Sequence, residues 1–249
     1  MLWLFAVLLL GPTPESVRAE QRLKEGQRLM ASERFEQAAE AFREAIQLSP
    51  LLVMAHYGLG QAHMALKEYP SAVTAFRGAR EAFHKRAAEN VNTRMEYENA
   101  REDRMRSLRD KIRENQERQL PPGSRAAQQR DIRVQQWELE ISTLQRAQND
   151  LQSQTIPPLP PGFSLALGSA HFRSGQLPDA EREYRAALLV QPSLGEPRNN
   201  LAVVLLLTGR PAEAKEQLSL AEKNGFKVSA GLKKDVEAAL ANGSNSPRP

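Results

Sequence analysis

Residues 26–50 read GQRLMASERFEQAAEAFREAIQLSP, and residues 60–84 read GQAHMALKEYPSAVTAFRGAREAFH. Laid one above the other, they set Gly26 over Gly60, Phe35 over Tyr69, Ala38 over Ala72, Phe42 over Phe76 and Ala45 over Ala79, always 34 residues apart. The spacing returns downstream. Leu167 matches Leu201, Gly168 matches Ala202, Ala180 matches Ala214, Tyr184 matches Leu218 and Ala187 matches Ala221. A fixed period of this length marks an architecture of stacked repeats. Inside each repeat the pattern is helical, since Ala38, Phe42 and Ala45 fall at i, i+4 and i+7 and form one stripe toward a partner helix. Small residues at a crossing let two backbones approach, and large ones fill the space beside them.

The punctuation agrees with pairs of helices. Pro70, Pro178 and Pro211 stand in the first turn of a second helix, where a missing N–H does no harm. Pro50 and Pro192 follow the ends of second helices, and Gly175 and Gly209 supply turns between first and second.

These positions and this period resemble the tetratricopeptide-repeat (TPR) family. Its pattern places small residues at repeat positions 8, 20 and 27, large ones at 7, 11, 17 and 24, and proline at 32. Repeat one is then Ala19 to about Leu52, repeat two Val53 to about Arg86, repeat three Pro161 to about Leu194 and repeat four Gly195 to about Val228. The departures are local. Arg22 and Glu25 stand where the family prefers Trp and Leu, and His84 and Phe226 replace the final proline. The expected fold is all-α: a solenoid of four helix-turn-helix repeats, residues 20–86 and 161–228. A polar capping helix is expected over 229–241 and a disordered tail over 242–249.

Residues 87–160 interrupt the array. No proline occurs between Ser71 and Leu120, so one long helix is expected to run out to Pro121-Pro122-Gly123. A second helix runs from about Ser124 to Ser153, before the Pro157–Pro161 breaker. At ~1.5 Å per residue the legs are roughly 50 and 45 Å long, so the chain returns to where it left. Val134, Trp137, Ile141, Leu144 and Leu151 mark a seam at three- and four-residue spacing. An antiparallel coiled-coil hairpin about the proline turn sets Leu108 against Val134, Met105 against Trp137, Met95 against Ala147 and Val91 against Leu151. Arg101 against Ile141 and Arg130 against Ile112 put a charge on an apolar partner.

At the N-terminus, Leu2 to Leu10 (LWLFAVLLL) is an unbroken apolar run. It is too short to span a hydrocarbon core of ~30 Å. It fits the apolar core of a signal peptide over 1–19, with Ala19 before the cut, although no Lys or Arg precedes it. The expectation is export to the periplasm or beyond, the alternative an uncleaved membrane anchor. Without cysteine there is no disulfide, thiolate metal site or lipoprotein anchor. A net charge of +4 is spread among interleaved acids and bases, with only 6% aromatics, which argues against nucleic-acid binding.

The resemblance implies a concave surface lined by first helices at repeat positions 2, 5, 9 and 12. Here these are Leu23, Gln27 and Met30, then Met54, Tyr57, Gln61 and Met64, then Leu165, Ser169 and Phe172, then Asn199, Val203 and Leu206. Apolar groups with sparse amides imply a protein partner that docks a peptide or helix by hydrophobic anchors. The family's carboxylate clamp is not reproduced: Lys24 and Asn200 hold position 6 of their repeats, but Gly58 and Ala166 hold it in the other two. The hairpin carries a weakly basic tip, including Arg104, Arg106, Arg109, Lys111, Arg113 and Arg118, partly offset by Asp103, Asp110, Glu114 and Glu117. Acidic partners or anionic headgroups would meet it there, although a solvated charged face is the commoner explanation.

Nothing points to catalysis, a cofactor or a metal. His63 and His171 share one packing position, and no carboxylate completes a zinc set around His56 and His63. Gly58-Leu59-Gly60 is the repeat's own small-residue signature. The expected function is a non-enzymatic scaffold or adaptor that binds its partner in the groove. The alternative is an envelope-complex or self-assembly subunit whose hairpin makes the contact.

Overall fold

The computed structural model describes residues 13–152 and 158–243. The helices are α1 (Pro14–Ala31), α2 (Phe35–Leu48), α3 (Val53–Ala65), α4 (Tyr69–Glu117), α5 (Arg125–Gln152), α6 (Pro161–Arg173), α7 (Leu177–Val190), α8 (Gly195–Leu207), α9 (Pro211–Lys223) and α10 (Ala230–Gly243). No strand occurs among the described residues. The described parts of 1–85 and 158–249 form one compact unit, and those of 86–157 a second.

All four repeats turn from first to second helix in the same way. The N–H of Arg34, Glu68, Gln176 and Arg210 reaches the carbonyl of Leu29, His63, His171 and Leu205 at 2.9, 2.9, 2.9 and 2.8 Å. The preceding residue bonds three back in each case, which completes a Schellman turn. That preceding residue has positive φ: 57° at Glu33, 62° at Lys67, 76° at Gly175 and 75° at Gly209. Glycine adopts this freely, whereas the Cβ of Glu33 or Lys67 costs about 1 kcal/mol. Lys67→Gly is therefore expected to stabilise the protein by about 0.5–1 kcal/mol, read as a raised urea midpoint, while Lys67→Ala leaves it unchanged.

Two of the four histidines belong to these turns. His63 Nδ1 lies 2.6 Å from Glu68 Oε2, and His171 Nδ1 lies 2.6 Å from Gln176 Oε1. Leu29 and Leu205 take the same place in repeats one and four, both buried.

The core is built from aromatic rings set against glycine. Phe42 is 1% exposed and fills the crossing of α1, α2 and α3. A methyl group at Gly26 would stand 2.5 Å from its Cε1, and one at Gly58 2.5 Å from its Cζ. Phe76 lies against Gly60 and Tyr184 against Gly168 in the same manner, and in repeat four buried Ala202 and Leu218 hold these positions.

The two pairs of repeats join into one array. Ala72, Val73 and Phe76 from α4 share a buried cluster with Leu167 and Ala170 from α6. Tyr57 lies between Phe76 and Phe163, with ring centroids 5.4 and 5.0 Å away. Arg80 Nη1 donates to both oxygens of Glu183 at 2.9 Å, linking α4 to α7. On α10, Val236 is buried in the cluster of α8 and α9, against which Leu232 and Leu240 also pack.

In the second unit, buried or half-buried side chains recur at 91, 94, 98, 101, 105, 108, 112 and 115 of α4. On α5 they recur at 127, 130, 134, 137, 141 and 144, again in alternating steps of three and four. The Arg104–Glu140 ion pair at 2.8 Å joins the legs. Met105 and Leu108 are buried, and Trp137 and Val134, assigned to face them, are half-buried. The side chains of Ala147 and Leu151, expected opposite Met95 and Val91, lie outside the described residues. Arg101 is only 4% exposed, and its Nε and Nη1 have no hydrogen-bond partner. The arginines toward the tip are mostly tied to neighbouring acids, such as Arg106 to Asp103, Arg113 to Asp110 and Arg118 to Glu114. Exposed pairs of this kind contribute little stability.

The apolar run Leu2–Leu10, the segment 153–157 and residues 244–249 of the expected tail lie outside the described residues, while Asn242 and Gly243, assigned to that tail, end α10. Residues 14–19, assigned above to a leader, form the start of α1. Thr13 Oγ1 accepts the Ser16 N–H at 3.1 Å, and Ala19 is 1% exposed. A cut behind Ala19 would remove that cap, the first turn and a buried packing residue.

Candidate functional site

Helical spacing gathers the site on the first helices of repeats two, three and four. Ser169, Phe172 and Arg173 stand at i, i+3 and i+4 on α6, and Glu196, Asn200 and Val203 at i, i+4 and i+7 on α8. Together with Met64 from α3 and Tyr184 from α7 they line a cavity of about 290 Å³. Met64, Phe172 and Val203 make its apolar walls, all half-buried.

The remaining groups are polar. The Tyr184 hydroxyl donates to Ser169 Oγ at 3.4 Å. Burial pushes the Tyr184 phenol above its usual range, and Glu196 adds to this, while the Ser169 bond and Arg173 oppose it. Burial likewise raises the Tyr57 phenol, again with help from Glu196. Both hydroxyls thus stay protonated at neutral pH, and the Glu196 carboxylate acts on both rings. The Asn199 amide donates to Asn200 Oδ1 at 3.4 Å.

Arg173 and Glu196 are exposed, and neither takes part in an ion pair among the described residues. Neighbouring arginines differ. Arg182 meets Asp179 at 2.6 Å, Arg185 meets Glu181 at 2.9 Å, and Arg198 meets Gln217 at 2.9 Å. Arg210 Nη1 donates to Glu181 Oε1 at 3.0 Å, a contact that holds the Glu181 carboxyl below its usual range.

Of the residues assigned by repeat position, Met64, Ser169, Phe172 and Val203 line the cavity. Tyr57 is half-buried in the aromatic stack, and Gln27, Gln61 and Met54 are exposed. Met30 packs on the first core cluster, and Leu165 and Leu206 on the cluster of repeats three and four. Asn199 is half-buried beside Asn200. Leu23 departs from its assignment: it is 7% exposed, inside the cluster of α1, α2 and α3, and presents no surface. Four lining residues escaped the positional reading: Arg173, Tyr184, Glu196 and Asn200. Glu196 holds position 2 of repeat four, so the rule already pointed at it, and Asn200 holds position 6. Tyr184 is the large residue of the repeat's second helix, whose edge reaches the cavity only through stacking.

Among the described residues, no group of three or more His, Asp or Glu is placed to hold a metal ion. No helix among them is long and apolar enough to cross a membrane.

The tetratricopeptide-repeat family model matches residues 23–87 and 165–225, just over half of the chain. The Hsp70-Hsp90 organising protein of Plasmodium falciparum (isolate 3D7) is similar over 61 residues at 31% identity, 24% of this chain and 11% of that protein. The match thus spans about a ninth of that relative's length. Solved structures to which the chain is similar include a thermophilic TPR protein of Thermus thermophilus. It shows a TM-score of 0.34 at 19% identity, covering 90% of this chain and 99% of that one. PilW, a type IV pilus biogenesis factor, gives a TM-score of 0.42 at 17% identity, covering 91% and 87%. The pilF protein of Pseudomonas aeruginosa gives 0.33 at 15% identity, covering 92% and 90%.

Proposed function

Because the chain belongs to the tetratricopeptide-repeat family, we propose that it is a non-enzymatic protein-interaction scaffold whose α3, α6 and α8 receive a peptide or helix of a partner. One observation carries this reading. The cavity of these three helices joins apolar walls to hydroxyl, amide and charged groups at its rim. A shaped pocket of that make-up suits side-chain anchoring, and the flexible Met64 adapts its wall to the guest. Phe172 is the residue to test, because Tyr57 is committed to the stack with Phe76 and Phe163.

The experiment compares partner capture by the immobilised wild-type chain and by Phe172→Ala, using envelope and soluble fractions of the source cell. A protein retained by the wild type is expected to fall at least tenfold on the variant, with thermal melts confirming that both are folded. Equal capture by the two chains would move the binding surface elsewhere. A second reading makes the hairpin the contact surface. It is favoured by Ile132 and Leu139, which stand seven apart on α5 at 56% and 66% exposure. Deleting residues 87–152 separates the two, since capture in the repeat cavity survives the deletion and capture by the hairpin does not.

Export belongs to this proposal as well and rests on the Leu2–Leu10 run. Mass spectrometry of the N-terminus from fractionated cells tests it. A chain that begins at or before Thr13 keeps α1 whole, and one recovered at full length from the cytoplasm refutes export.

A further inference from the structure

The cavity holds two charges that the fold does not neutralise. Arg173 lies in the last turn of α6 and Glu196 in the first turn of α8. Each sits at the helix end whose dipole favours its sign, and neither has an ion-pair partner among the described residues. Around them Arg182, Arg185, Arg198 and Arg210 are engaged by acids, an amide or a carbonyl. Arg173 and Glu196 lie on different helices of the cavity wall. Met64, Phe172 and Val203 line the same cavity, with the Tyr184–Ser169 hydroxyl pair and Asn200 supplying donors and acceptors.

We infer that this cavity selects a partner segment in which one apolar side chain is flanked by a basic residue, set toward Glu196, and an acidic residue, set toward Arg173. The inference rests on the scaffold reading above and names the chemistry of its guest. The apolar side chain takes the place of water against Met64, Phe172 and Val203. Each flanking charge meets an opposite charge at the rim, and a segment with its charges reversed meets two like charges. The Asn200 amide, with one acceptor and two donors, matches a peptide unit of the guest backbone.

The test is a random twelve-residue peptide display library selected on the full chain, followed by fluorescence anisotropy with individual labelled peptides. Expected winners carry an apolar residue between a Lys or Arg and an Asp or Glu. Replacing the basic residue of such a peptide by Glu should weaken binding to the wild type about fivefold or more, and Glu196→Lys should restore it. Arg173→Glu should do the converse for the acidic residue. Both side chains are exposed, so reversing a charge at a helix end should lower the melting temperature of each variant by only a few degrees and leave it folded. Peptides whose binding depends on Phe172 but ignores both charge changes overturn this inference and leave the scaffold reading standing. If no selected peptide depends on Phe172, both fall.

Discussion

Replacing Arg80 by methionine is expected to cost the repeat unit about 3 kcal/mol or more, the range for removing one partner of a buried ion pair. Glu183 is 3% exposed, and both its oxygens are bonded by Arg80 Nη1 at 2.9 Å. Without the guanidinium the carboxylate is left dry and uncompensated, and burying it so is far costlier than the pair's own net contribution. Arg80→Met/Glu183→Leu should therefore recover most of the loss, since two apolar chains of similar volume need no partner. Urea unfolding followed by far-ultraviolet circular dichroism measures both variants. A single variant within about 0.5 kcal/mol of the wild type would show that the contact does not join repeats two and three.

Phe42→Ala should cost about 3–5 kcal/mol. Its ring is 1% exposed and lies between Gly26 on α1 and Gly58 on α3, so its loss empties a space bounded by three helices. The glycines make the same point from the other side. Alanine is favoured over glycine in a helix by about 1 kcal/mol. A methyl group at Gly58, however, would stand 2.5 Å from the ring, and the ring has no room to retreat toward Gly26. Overpacking of this kind costs about 1–3 kcal/mol, so Gly58→Ala is expected to destabilise despite its better propensity. In the double variant the new methyl group fills part of the emptied space, and Gly58→Ala/Phe42→Ala should lose less than the sum of the two single changes. Additive losses in the same urea titration would contradict the clamp.

How much was legible in the sequence varies from element to element. The steric rule that sets Phe42 against Gly26 appears directly in the 34-residue period, because residue size at a crossing is a local demand repeated in every unit. The same holds for Pro70, Pro178 and Pro211 at helix starts and for Gly175 and Gly209 in the turns. The equivalent turns at Glu33 and Lys67 were hidden, since neither residue announces a positive φ. Leu23 was misplaced for a related reason. Its repeat position suits a groove, but in the first helix of the array it packs inward with Ala19 and Leu29.

Repeat number, helix pairing and the interrupting segment followed from the order of residues alone, because each depends on side-chain size and helix-breaking within tens of residues. The pairing of Arg80 with Glu183 was settled only by stacking across the insertion. Arg80 and Glu183 are 103 residues apart, whereas Arg182 has Asp179 three residues before it and Arg173 has no acid within four residues on either side. Electrostatic partners are chosen by distance in space, and the cavity exists only where α3, α6, α7 and α8 converge.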